Sequence, residues 1–206
     1  MSVHQVRIKG STREHAYQIT GLIQPGVELL LTQTIDHFYD VTMNLVQRLG
    51  VSKVYSVNLD QRGGNNYSSG ERLNLNPINL TEWTVTHELS HALDAAFRWQ
   101  LSHRMRKDTG SGFLSKAIHM TYPNWKLFWY RVGSPPPPCG VDKKFNSVED
   151  FAEALTAFIY PDIAKRKAQE RGYPYEKWGY THFHETPRGR FIQSLLESKD
   201  NQNALV

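Results

Sequence analysis

The chain predicts an α+β domain with a small mixed sheet, a helix carrying His87-Glu88-Leu89-Ser90-His91, and a mostly helical second half. Apolar residues recur at helical spacing in three windows. Between the first two lie short runs with strand character. Turn-forming residues and a proline run then break the periodicity where it would otherwise continue.

In order, residues 6–10 read as a short strand. Residues 26–49 place Val27, Leu30, Leu31, Ile35, Phe38, Val41, Leu45 and Leu49 on one face of a long helix ended by Gly50. Residues 54–59 follow as a strand. Residues 61–70, rich in Gly, Asn and Ser, form a loop or tight hairpin. Residues 72–76 alternate polar and apolar, with Leu73 and Leu75 on one side, as a half-buried strand does. The window 80–99 is the motif helix, capped by Asn79 or Thr81 and with Glu82 in its first turn. Its Val85, Leu89, Ala92, Leu93 and Ala96 face a core. Residues 101–147 are aromatic-rich, then run through Pro135 to Pro138, which favour an extended polyproline segment. Asn146 or Ser147 caps a helix that Pro161 stops after Tyr160, and residues 187–198 make a further short helix. The expected organisation is a single domain, with an N-terminal subdomain of about 1–100, a helical C-terminal subdomain of about 101–198 and a frayed tail at 199–206.

Composition narrows the function classes. At 206 residues the chain is long enough for a substantial core, and 39% apolar with 21% charged residues describes an ordinary globular protein. The net charge of +4 is spread over short clusters, which read as solvated faces rather than a nucleic-acid surface. The one cysteine, Cys139, excludes an internal disulfide framework and fits a reducing, cytoplasmic setting. No window has the length of a membrane span, and the first residues carry no signal-peptide run, which leaves export by another route as the alternative location. Oligomeric state leaves no mark.

Two histidines four apart on a helix project from one face and can share a Zn²⁺ ion. The glutamate beside the first reaches a water on that ion. His87 and His91 are therefore the candidate ligands and Glu88 the candidate general base, with Asp94 on the same stripe. Hydrolytic zinc sites use three protein ligands, so one more is needed downstream. His103, His119, His182, His184, Glu149, Asp150 and Glu153 are the candidates. The run Glu149-Asp150-Phe151-Ala152-Glu153 favours the acids, because Glu149 and Glu153 share one face beside an apolar stripe. Helix capping accounts for the first-turn acids but not for Glu153 in the second turn. Glu149 is the favoured ligand, and a histidine from His182 or His184 is its strongest competitor.

His87-Glu-Leu-Ser-His-Ala-Leu-Asp94 together with Glu149-Asp-Phe-Ala-Glu-Ala-Leu155 resembles the gluzincin metallopeptidases, in particular the family of the anthrax lethal factor catalytic domain and the Pro-Pro endopeptidases. The resemblance covers only these two runs. It implies a zincin-like fold, Glu149 as third zinc ligand, and Glu153 as a support for a motif histidine. Such relatives carry a tyrosine seven residues before the glutamate ligand to stabilise the tetrahedral intermediate. Here that position is Asp142, which as an anion does not serve, so Tyr130, Tyr160, Tyr180, His182 and His184 are the candidates for that role.

The expected activity is zinc-dependent endopeptidase cleavage of a peptide or protein substrate, with Glu88 passing the water's proton to the leaving amine. The strand at 72–76 would offer its edge to an extended peptide. Two alternatives are a DNA-associated or regulatory metalloprotease with a third histidine ligand, and a non-catalytic zinc- or peptide-binding domain. Cys139 reads as a small loop residue, with a thiolate that closes the fourth zinc position as the alternative.

Overall fold

The computed structural model describes residues 2–7, 14–20, 25–48, 55–59, 66–69, 72–109, 147–170 and 180–197. Tyr130, the Pro135–Pro138 run, Cys139, Asp142, His119 and the 199–206 tail lie outside them. Six α-helices and a five-stranded mixed sheet make up the described residues, so the α+β class holds. The chain forms two compact units, Met1–Arg98 with Leu196–Val206, and Trp99–Leu195.

The first unit holds the sheet. Strands β1 (Ser2–Arg7), β2 (Glu14–Thr20), β3 (Tyr55–Leu59), β4 (Tyr67–Ser69) and β5 (Arg72–Leu75) lie in the order β1-β2-β3-β5-β4. The β2–β3 and β3–β5 pairs are parallel, and the two outer pairs antiparallel. Helix α1 (Pro25–Arg48) connects β2 to the parallel β3, as such a crossover requires. Its Leu31, Ile35, Phe38 and Leu45 join Ile19, Val57, Leu73 and Leu75 in the buried core. Two strand expectations need correction. The first strand begins at Ser2 rather than at residue 6, since it pairs with β2 from Ser2↔Ile19 onward. The segment 72–76 is not an edge: β4 folds back on it, Tyr67 opposite Asn74, and β4 is the outer strand among the described residues. Asn66 Oδ1 ties the hairpin by accepting from the Asn76 N–H at 2.7 Å, and Asn76 Oδ1 in turn accepts from Ile78 N–H at 3.0 Å to start the 3₁₀ turn Pro77–Asn79.

Helix α2 (Glu82–Ala96) follows that turn and packs on α1, β4 and β5. Thr81 and Thr84 close a reciprocal capping box: Thr84 N–H donates to Thr81 Oγ1 at 3.2 Å, and Thr81 N–H to Thr84 Oγ1 at 2.9 Å. The helix ends at Phe97 because Arg98 and Trp99 adopt left-handed backbone, with φ of 55° and 64°.

The second unit is helical. Helix α3 (Gln100–Asp108) packs on α4 (Ser147–Ile159), which contacts α5 (Pro161–Glu170) and the 3₁₀ segment Tyr180–Glu185. Pro161 does stop α4, yet it also opens α5. A proline at the first helical position loses no internal hydrogen bond, and Ala164 N–H reaches back to Tyr160 O at 3.0 Å. Helix α6 (Pro187–Glu197) starts the same way: Thr186 Oγ1 accepts from Gly189 N–H at 3.0 Å, and Pro187 is the first helical residue. A Cβ on Gly189 would sit 2.7 Å from His184 Cα and 2.9 Å from His184 C, and closer still to the Phe183 carbonyl oxygen. All three are backbone atoms, so Gly189→Ala must push α6 off that segment. An overpacking cost of about 2–3 kcal/mol lowers the melting temperature by about 5–10 °C. A thermal melt of the variant within 2 °C of wild type, taken as roughly the effect of 1 kcal/mol or less, would show that the segment yields.

Candidate metal centre

Helix α2 presents the first half of the site. His87 and His91 are one turn apart, and their Nε2 atoms face each other at 3.1 Å with ring planes at 89°. Both rings thus converge on one point. A tetrahedral ion with metal–nitrogen bonds of 2.0–2.1 Å separates its ligand atoms by about 3.3 Å, so the pair already has the spacing of two ligands. Glu88 is 6% exposed, between the two histidines in sequence. Asp94 is fully buried one turn beyond His91. The helix is fixed by its capping box and its buried Val85, Leu89 and Leu93, so these positions are held by the fold.

Helix α4 presents the second half. Its apolar face buries Phe151, Ala152, Leu155 and Ile159, which leaves Glu149 half-buried at the margin of the core and Glu153 buried one turn later. Among the described residues, His87, His91 and Glu149 form a group whose ligand atoms all lie within 4.8 Å of one another, and this group can hold a metal ion. Two imidazoles and a carboxylate provide the three protein ligands of an open site.

The other expected residues are dispersed. Tyr160 follows the last residue of α4, eleven positions after Glu149, or about 16 Å along a helix axis. His184 is engaged at the same end: its Nε2 donates to the Phe158 carbonyl at 3.0 Å and its ring packs edge-on against Phe158, with centroids 4.3 Å apart. His182 is exposed at a kink in the 3₁₀ segment, with φ of −135°. His103 is exposed on α3.

Sequence reasoning missed one contact beside the site. Asp150, next to Glu149, accepts two hydrogen bonds from Arg188, Nε to Oδ1 at 2.6 Å and Nη2 to Oδ2 at 3.0 Å. Arg188 is 1% and Asp150 2% exposed. The available signal was a cation in the first turn of a helix already marked by Thr186-Pro187, where the dipole disfavours it. No family model matches this chain, and no curated protein or solved structure matches it either, so the residues of the site alone carry the functional argument.

Proposed function

We propose that the chain is a zinc-dependent endopeptidase of zincin-like fold, with His87, His91 and Glu149 as zinc ligands and Glu88 as general base. The observation that carries this reading is the group of three donor atoms within 4.8 Å of one another, with a buried carboxylate adjoining the first histidine in sequence. Imidazole and carboxylate donors suit zinc. When bound, zinc supplies a Lewis acid that makes a water acidic near neutral pH and polarises a carbonyl. Glu88 accepts the proton of the attacking water and returns it to the departing amine, so that the nitrogen leaves as a neutral group. Of the buried acids, Asp94 and Glu153 would orient the motif histidines and fix their protons. The outer strand β4 aligns an extended substrate by main-chain hydrogen bonds.

The donor group favours a glutamate third ligand over a third histidine, because among the described residues it contains Glu149 and only the two motif histidines. Glu88 favours catalysis over a purely structural metal, which requires no base. None of the described helices is long and apolar enough to cross a membrane. Incubating the zinc-loaded chain with a diverse peptide library tests the proposal. Internal cleavage is expected, lost on chelation and restored by zinc. A stoichiometrically loaded protein that cleaves nothing in the library would sink it.

A further inference from the structure

The geometry points to Arg188 as a positioning residue for the metal centre, holding the Glu149 ligand in place by clamping its neighbour Asp150. This inference rests on the zinc reading. The guanidinium grips both carboxylate oxygens, at 2.6 and 3.0 Å, with both side chains inside the protein. Such a fork fixes direction as well as distance. Asp150 lies in the first turn of α4, where successive residues are rotated by about 100°. Fixing the azimuth of Asp150 therefore fixes that of Glu149, one residue earlier on the same turn.

Stability alone is a poor reason for this pair. A buried ion pair is commonly replaced by apolar residues with no loss of stability, since removing two charges from water offsets their attraction. Arg188 also occupies the first turn of α6, the positive end of the helix dipole, where a cation is unfavourable. Its backbone is held firmly nonetheless. Thr186 caps the turn, its Oγ1 also donating to Phe183 O at 2.7 Å, and Gly189 seats the turn directly on the 3₁₀ backbone. The clamp is thus mounted on a rigid base, and the segment it grips carries the one ligand that does not come from the motif helix.

The test uses the full chain and zinc alone, with no peptide. Removing Arg188 singly would strand a buried carboxylate, so the informative variant is Asp150→Leu with Arg188→Met, accompanied by Arg188→Lys, which keeps the charge and loses the fork. The double variant is expected to melt, in the metal-free form, at or above the wild-type temperature. Its zinc dissociation constant, from competition with a chromogenic chelator, is expected to rise by about 10–100-fold. Arg188→Lys is expected to give a smaller rise. Wild-type zinc affinity in either variant overturns the assignment. So does failure of the double variant to fold, because the pair would then be a requirement of the fold. If the wild-type chain itself takes up no zinc, the metal reading fails and the assignment falls with it. Wild-type uptake with unchanged variants removes the assignment alone.

Discussion

Replacing Glu88 by Gln is expected to lower peptide cleavage by about 10²–10⁴-fold or more while zinc stays bound with wild-type stoichiometry. The amide has the shape and hydrogen-bonding reach of the carboxylate but cannot take a proton at neutral pH. Glu88 is 6% exposed and glutamine matches its volume, so the isosteric change leaves no cavity. Single-turnover cleavage and metal analysis of the same preparation provide the two readouts. Wild-type turnover with Gln at this position would remove Glu88 as the base. Loss of zinc together with activity would instead make it part of the metal's support.

Removing the third ligand is the second large effect. Glu149→Ala is expected to abolish the thermal stabilisation that zinc gives the wild-type chain. A ligand that binds only the folded state stabilises it by about 2.7 kcal/mol at one hundred times its dissociation constant. For a chain of this size that is a rise of about 5–10 °C in melting temperature. His87, His91 and Glu149 are brought within 4.8 Å only by folding, so the ion has no comparable site in the unfolded chain. His91→Ala should behave like Glu149→Ala. Scanning calorimetry with zinc and with a chelator decides the matter. A full zinc shift in Glu149→Ala, lost only on removal of His182 or His184, would transfer the third ligand to a histidine.

The half of the centre on α2 was legible because it is local. Two histidines at i and i+4, a threonine cap and an apolar stripe specify one another within a few turns. Glu149, the third member of the donor group, was legible from the same periodicity on α4. The grip of Arg188 on Asp150 was not, since its partners are 38 positions apart and the one signal, a cation in the first turn of α6, does not name its partner. Strand β4 was hidden for a related reason. Tyr67-Ser68-Ser69 lies among Gly, Asn and Ser residues and becomes a strand by pairing with β5. Helix α3 offers no starting signal, because its cap position is Trp99, in left-handed backbone and without a side-chain cap. Helix α5 was missed because Pro161 has two meanings, the end of one helix and the favoured first residue of the next.

If the chain is the endopeptidase proposed, the shortness of β4 would limit how a substrate is chosen. A strand of three residues directs the main-chain groups of at most alternate residues outward, so two residues at most, and four hydrogen bonds, are open to an added peptide. At about 0.5–1.5 kcal/mol net for each, these yield roughly 2–6 kcal/mol. That is less than the roughly 8 kcal/mol of micromolar binding, before the cost of immobilising a flexible chain. Generic unfolded polypeptide would therefore be held too weakly for efficient turnover at low concentration. On the proposed reading, discrimination would come from the side chains flanking the scissile bond, and cleavage would follow a short motif rather than fall on proteins indiscriminately.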